Sequence, residues 1–185
     1  PQTIQQLAEL YLEQIRALQP HGPYSFVGWS MGGLVAHAVA ARLLAEGEPV
    51  SALVMLDTYP LHDPAAREAG QDLARMDDTW LVKNAIAMLG IDFSENMPET
   101  LDDLADRIVE IMLPEAQAFV QDEAAFSTLL QTIRQGVSHN LEMMRNWQPQ
   151  RVQADLLFLR ATQRGTEDVG DNPAFWQNYI TGKLM

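Results

Sequence analysis

The chain has 185 residues, enough for one sizeable core and too few for two ordinary domains. It has no cysteine, which excludes disulfides, thiol catalysis and thiolate metal sites. Its formal charge of −13 is concentrated in residues 63–128, with fifteen acids against four bases. Residues 1–62 hold five acids and two bases, and residues 129–185 five and six. Such a surface repels nucleic acid and anionic membranes, and the plainest account of the acidic stretch is the solvated faces of helices.

Residues 3–18 place Ile4, Leu7, Ala8, Leu10, Tyr11, Ile15 and Leu18 at helical spacing. The same N-terminal stretch lacks the basic n-region of a signal peptide and carries acids among its apolar residues. No run of 18 apolar residues marks a transmembrane helix. A cytoplasmic protein is the expectation. HGP at 21–23 is a turn signal, and Tyr24 to Val27 reads as a short strand. A helix is predicted from Met31 to Glu46, with Gly47 as its stop. The apolar run VSALVML at 50–56 suits a strand buried on both faces of a parallel sheet.

From residue 63 the pattern turns helical and acidic. TWLVKNAIAMLG, TLDDLADRIVEIMLP and FSTLLQTIRQGVSHNLEMMRNW each carry helical periodicity. ADLLFLRA at 154–161 returns to the buried-strand style, a polar loop follows, and Pro173 to Trp176 opens a helix. The order predicts an α/β core with right-handed crossovers, formed by 1–62 and 147–185, interrupted by a helical insertion over 63–146.

The chemistry centres on Gly28-Trp29-Ser30-Met31-Gly32, a G-x-S-x-G motif between a strand and a helix. That context is the nucleophile elbow, a strained turn that lifts a serine hydroxyl clear of the sheet. Glycine is expected two residues before and two after the serine, where side chains would strike neighbouring backbone. The free N–H groups and dipole of the following helix can stabilise an oxyanion, with Met31 N–H as one donor. The rival is a glycine-rich turn with an incidental serine. A phosphate loop is the weaker rival, because the G-x-G-x-x-G spacing and the P-loop lysine are absent.

A catalytic serine needs a histidine base oriented by a carboxylate. Asp57 ends the run 50–56 at the C-terminal edge of a strand, where open α/β sheets form their sites. Asp168 and Asp171, after the strand at 154–161, are the other candidates, and the bland role for Asp57 is a turn or cap. The four histidines resist the scheme. His21 lies on the wrong edge of the sheet, His37 two turns down the helix, His62 close after Asp57, and His139 in the insertion. Structural or surface roles are expected for all four. The order Ser, Asp, His requires a histidine after the last strand, and none follows residue 139.

PYSFVGWSMGG, LVAHAVAARLLAEGEPV and VSALVMLDTYP together resemble the thioesterase domains that end nonribosomal peptide synthetases. Residues 20–60 carry the specific likeness, while 1–19 and 147–180 agree more loosely. The resemblance implies an α/β-hydrolase fold in which 63–146 is a large helical lid. It implies Ser30 as nucleophile, Asp57 as triad acid in preference to Asp168, and Met31 as oxyanion donor. The family's histidine follows a segment like NPAFWQNYITGKLM, so it is expected beyond Met185. Its second oxyanion donor follows an early strand expected before residue 1. The chain thus looks truncated at both ends.

The implied substrate is a peptidyl thioester on the phosphopantetheine arm of an upstream peptidyl carrier protein domain, with no cofactor or metal of the domain's own. Ser30 would take the peptide and release it by hydrolysis or macrocyclisation, and the size of the lid inclines the expectation to macrocyclisation. The alternatives are a free-standing editing thioesterase, a lipase- or esterase-type hydrolase, and a non-catalytic docking module of the same fold. Carrier domains are usually acidic, which disfavours the acidic stretch and favours docking near the elbow mouth or on the less charged C-terminal third, with Arg134, Arg145 and Arg151 as its probes.

Overall fold

The computed structural model describes residues 1–62, 123–160 and 173–185. The predicted helices at 79–90 and 100–114, most of the expected lid, and Asp168 and Asp171 lie outside the described residues. The chain divides into two compact units, Pro1–Gln71 with Asn140–Met185, and Asp72–His139.

The first unit begins with α1 (Ile4–Leu18). Thr3 caps it, its side-chain oxygen accepting from the Gln6 N–H at 3.1 Å, and Ile4, Ala8 and Leu12 are buried. These positions repeat every four residues and so share one face. Next come β1 (Tyr24–Trp29), α2 (Met31–Ala45) and β2 (Val50–Leu56). α2 has nine buried residues, as expected of an alanine-rich helix covered on several sides. Gly47, just past its end, has φ of 82°, a left-handed value that glycine adopts without a Cβ penalty.

α3 spans Glu123–Asn146; its residues up to His139 are counted in the second unit and those from Asn140 in the first. In the second unit Thr132 Oγ1 donates to the Thr128 carbonyl at 2.8 Å, one turn back. In the first, Met143, Met144 and Trp147 are buried, and β3 (Leu157–Leu159) follows. A 3-10 helix spans Pro173–Tyr179.

The sheet is parallel in the order β1-β2-β3. The strand predicted at 154–161 is observed over Leu157–Leu159, with residue 161 outside the described residues, and Val152 and Leu156 before it pair as isolated parallel bridges with Ile180 and Leu184. Sequence periodicity did not mark 180–185 as a pairing segment. Its backbone nevertheless exchanges hydrogen bonds with 152–158, among them Leu156 N–H to the Lys183 carbonyl and Met185 N–H to the Leu156 carbonyl, both 2.9 Å. At the other side β1 pairs only with β2 among the described residues, and Val27 and Trp29 are 72% and 55% exposed. The core is built from Ile4, Leu34, Leu43, Leu53, Met55, Leu156, Trp176 and Ile180, all fully buried or nearly so.

Candidate active site

β1 and β2 run parallel with Trp29 opposite Leu56, so the residues that follow each strand emerge side by side. Those residues are Ser30 and Asp57. Ser30 N–H donates to the Leu56 carbonyl at 2.9 Å, and Asp57 N–H to the Leu159 carbonyl at 3.0 Å. Ser30 has φ of 51° and Asp57 φ of 44°, the two positive-φ residues other than glycine among the described residues. Left-handed backbone costs an L-residue free energy and persists where surrounding structure imposes it, often at functional sites. A serine and an aspartate, both partly exposed, are thus held in strained backbone at the C-terminal edge of neighbouring parallel strands. In open α/β sheets that edge is where sites form.

α2 starts at Met31, immediately after the serine. The first N–H groups of a helix have no intrahelical acceptor, so Met31 N–H is available at the turn, beside the positive end of the helix dipole. Ser30 makes no side-chain cap to the helix, so its hydroxyl is not spent on that turn.

The glycines divide differently from the sequence expectation. A Cβ on Gly28 would lie 2.5 Å from the Gly32 carbonyl oxygen and from the Gly33 backbone, so glycine is required there. A Cβ on Gly32 meets nothing within 4 Å among the described residues, so the expected collision two residues after the serine is absent there. The crowded position is Gly33, where a Cβ would overlap the hydroxyl and methyl of Thr58. The turn is tight because α2 packs its first turn onto β1 on one side and onto the residue after Asp57 on the other.

The histidines of the first unit are engaged in the fold. His21 Nδ1 lies 3.0 Å from Glu48 Oε1 at the surface. His37 is fully buried, with ring centroids 5.7 Å from Trp147 and 5.1 Å from Trp176, and its Nε2 is 3.4 Å from the Tyr179 carbonyl oxygen. Burial drops its pKa from 6.5 to about 4, so its imidazole is neutral at pH 7. His62 Nε2 lies 2.7 Å from the Tyr179 hydroxyl. His139 belongs to the second unit.

Two residues that sequence reasoning missed tie the site together. Thr58 is fully buried, its hydroxyl 3.0 Å from the Ser30 carbonyl oxygen and 3.1 Å from that of Leu56. Trp176 donates its indole N–H to the Thr58 carbonyl at 2.7 Å. No local motif signals a bond across 118 residues. Two clefts of about 380 and 330 Å³ are described on the α1 and α2 side, and neither is lined by Ser30 or Asp57. No helix among the described residues is long and apolar enough to cross a membrane.

The sequence profile of the thioesterase domain family matches residues 1–184. Over all 185 residues the chain is 31% identical to a dimodular nonribosomal peptide synthase of Bacillus subtilis (strain 168), of which it spans 7%. Over 57 residues it is 51% identical to the N-(5-amino-5-carboxypentanoyl)-L-cysteinyl-D-valine synthase of Penicillium rubens, covering 31% of this chain and 2% of that protein. In structure it is similar to the NocB thioesterase domain solved in covalent complex with a fluorophosphonate nocardicin G analogue, with a TM-score of 0.54 at 20% identity. That match covers 100% of this chain and 65% of the other, so the chain spans slightly less than two thirds of the solved domain. The parallel sheet with its flanking helices is accordingly that of the α/β-hydrolase fold, and the chain belongs to the thioesterase domain family.

Proposed function

We propose that this domain releases a peptide from a nonribosomal peptide synthetase through an acyl-enzyme on Ser30. The observation that carries the proposal is the pair of strained residues, Ser30 and Asp57, at the ends of adjacent parallel strands beside the N-terminus of α2. Ser30 Oγ attacks the thioester carbonyl, its proton passes to a histidine base, and a tetrahedral oxyanion forms against Met31 N–H. Collapse of the intermediate breaks the C–S bond, and the carrier's phosphopantetheine thiol leaves with the proton. Water or a nucleophile of the same peptide then attacks the ester, giving a linear acid or a macrocycle. Asp57 orients the base and stabilises its cation. The base itself is proposed to be a histidine, which the family resemblance puts beyond Met185; His21 and His62 lie against Glu48 and the Tyr179 hydroxyl, and His37 is buried in the core.

Release at the end of a synthetase is favoured over editing because the full chain aligns within multidomain synthases, filling 7% of the Bacillus protein. The editing alternative draws on a further structural likeness, to the type II thioesterase BorB, with a TM-score of 0.56 at 18% identity. Docking of the carrier is proposed on the C-terminal third, where Arg145 is exposed. Arg151 serves the fold as well, since its Nε donates to the Ile180 carbonyl at 3.3 Å, so Arg145 is the cleaner probe.

The test supplies the full-length protein with a peptide loaded on its own carrier and, separately, with a small soluble thioester. Release of the loaded peptide as acid or macrocycle is expected. Arg145→Glu is expected to slow the carrier-borne reaction several-fold and to leave the soluble one unchanged. Processing only of mischarged short acyl groups would instead favour editing. An equal fall in both reactions would remove the docking assignment.

A further inference from the structure

We propose that Thr58 is a positioning residue of the acyl-transfer site, aiming the Met31 N–H at the oxyanion through the Ser30–Met31 peptide plane. The proposal rests on the reading of Ser30 as nucleophile and Met31 as oxyanion donor.

The Ser30 carbonyl and the Met31 N–H belong to one planar peptide, pointing in opposite directions. Whatever fixes the carbonyl fixes the N–H. Among the described residues two groups hold that carbonyl oxygen: Gly33 N–H at 3.1 Å, a tight turn of three residues at the start of α2, and Thr58 Oγ1 at 3.0 Å. The second comes from outside the helix, from the residue after Asp57. The turn needs it, because Ser30 has φ of 51° and ψ of −123°, well away from helical geometry. A hydrogen bond on a carbonyl also polarises its peptide and strengthens the N–H at the other end as a donor.

Thr58 is itself held on several sides. It is fully buried, its one hydroxyl proton is shared between the Ser30 and Leu56 carbonyl oxygens at 3.0 and 3.1 Å, and its own carbonyl accepts the Trp176 indole N–H at 2.7 Å. Its methyl and hydroxyl face the bare Cα of Gly33, where no side chain fits. The packing therefore keeps Oγ1 within hydrogen-bond distance of the Ser30 carbonyl. Both functions of the residue are used: the methyl fills the space under α2, and the hydroxyl orients the peptide.

Separating those two functions gives the test. Thr58→Val keeps the shape and removes the hydroxyl; Thr58→Ser keeps the hydroxyl and removes the methyl. In the full-length protein, with a soluble acyl thioester, Thr58→Val is expected to lower kcat by about 10- to 100-fold. That is less than the loss expected for deleting an oxyanion donor outright. KM should stay within about two-fold, since ground-state binding is untouched. Thr58→Ser is expected to keep kcat within about three-fold of wild type while its Tm falls, because a buried methyl is lost. Activity and stability thus part company, which a purely structural role does not predict. If Thr58→Val fails to fold, Thr58→Cys takes its place. Its thiol donates weakly, so its kcat should fall well below that of Thr58→Ser. Wild-type kcat in Thr58→Val, equal losses in the valine and serine variants, or equal kcat in the cysteine and serine variants, overturns the proposal. Ser30→Ala runs alongside. If it retains turnover, the nucleophile reading fails and this proposal with it; if it is dead while Thr58→Val is unimpaired, only the role of Thr58 falls.

Discussion

His37 sits two turns into α2, at a position where the sequence alone suggests no catalytic use. Its ring lies between those of Trp147 and Trp176 with no solvent exposure, and its Nδ1 has no hydrogen-bond partner among the described residues. Charging it there strips a cation of its water, which is why burial drops its pKa from 6.5 to about 4 against the opposing pull of the Tyr179 carbonyl. The consequence for stability has a definite sign. Below about pH 6.5 the unfolded chain takes up a proton that the folded chain refuses, so stability is full above that pH and falls as pH drops toward 4. At about 1.4 kcal/mol per pKa unit the loss is on the order of 3 kcal/mol. His37→Leu, of similar volume, should flatten the decline in urea midpoint between pH 7 and pH 4.5 relative to wild type. Parallel declines in the two proteins would show that His37 is not the titrating group. Residue types and order pointed to Ser30 and Asp57, because a strained elbow and an acid at a strand end leave a short-range pattern. The bonds of Thr58 and Trp176 leave none, since their partners lie 28 and 118 residues away.

Helix α2 and strand β1 meet so closely that their contact decides which glycines matter. The sequence motif treats Gly28 and Gly32 as a pair, whereas the structure pairs Gly28 with Gly33. Gly33→Ala drives a methyl into Thr58 and is expected to cost about 1–3 kcal/mol, as overpacking does. Gly28→Ala, which meets backbone that cannot swing aside, should cost at least as much. Gly32→Ala meets no neighbour among the described residues and gains helix propensity, so its stability should match wild type or exceed it by up to about 1 kcal/mol. Denaturant midpoints of the three variants rank these expectations directly; a Gly32 variant as unstable as the Gly33 one would contradict the packing described. The elements themselves were largely legible. The continuous apolar run 50–56 is β2 residue for residue, and the periodicity at 3–18 is α1 to within one residue. The last segment, ITGKLM, was not legible. It is short and contains glycine and lysine, and its pairing with 152–158 is set by a neighbouring strand that local sequence does not encode.

Across the molecule, the parallel order β1-β2-β3 gathers three strand ends on one edge, and the serine and aspartate stand on two of them. Helical periodicity in 63–146 predicts helices but not what they face, so substrate identity is not written in the pattern. The charge distribution adds a constraint on partners, because the acidic excess lies within residues 63–128 and the C-terminal third is nearly neutral. What unites these features is a covalent claim: the elbow presents Ser30 to a carrier-borne acyl group. Intact mass of the full-length protein after brief exposure to a soluble peptidyl thioester tests it, with peptide mapping and Ser30→Ala alongside. The account predicts one acyl adduct, mapped to Ser30 and absent from the alanine variant, that decays as product appears. An adduct of equal yield on the Ser30→Ala protein, or turnover that survives that substitution, would contradict it.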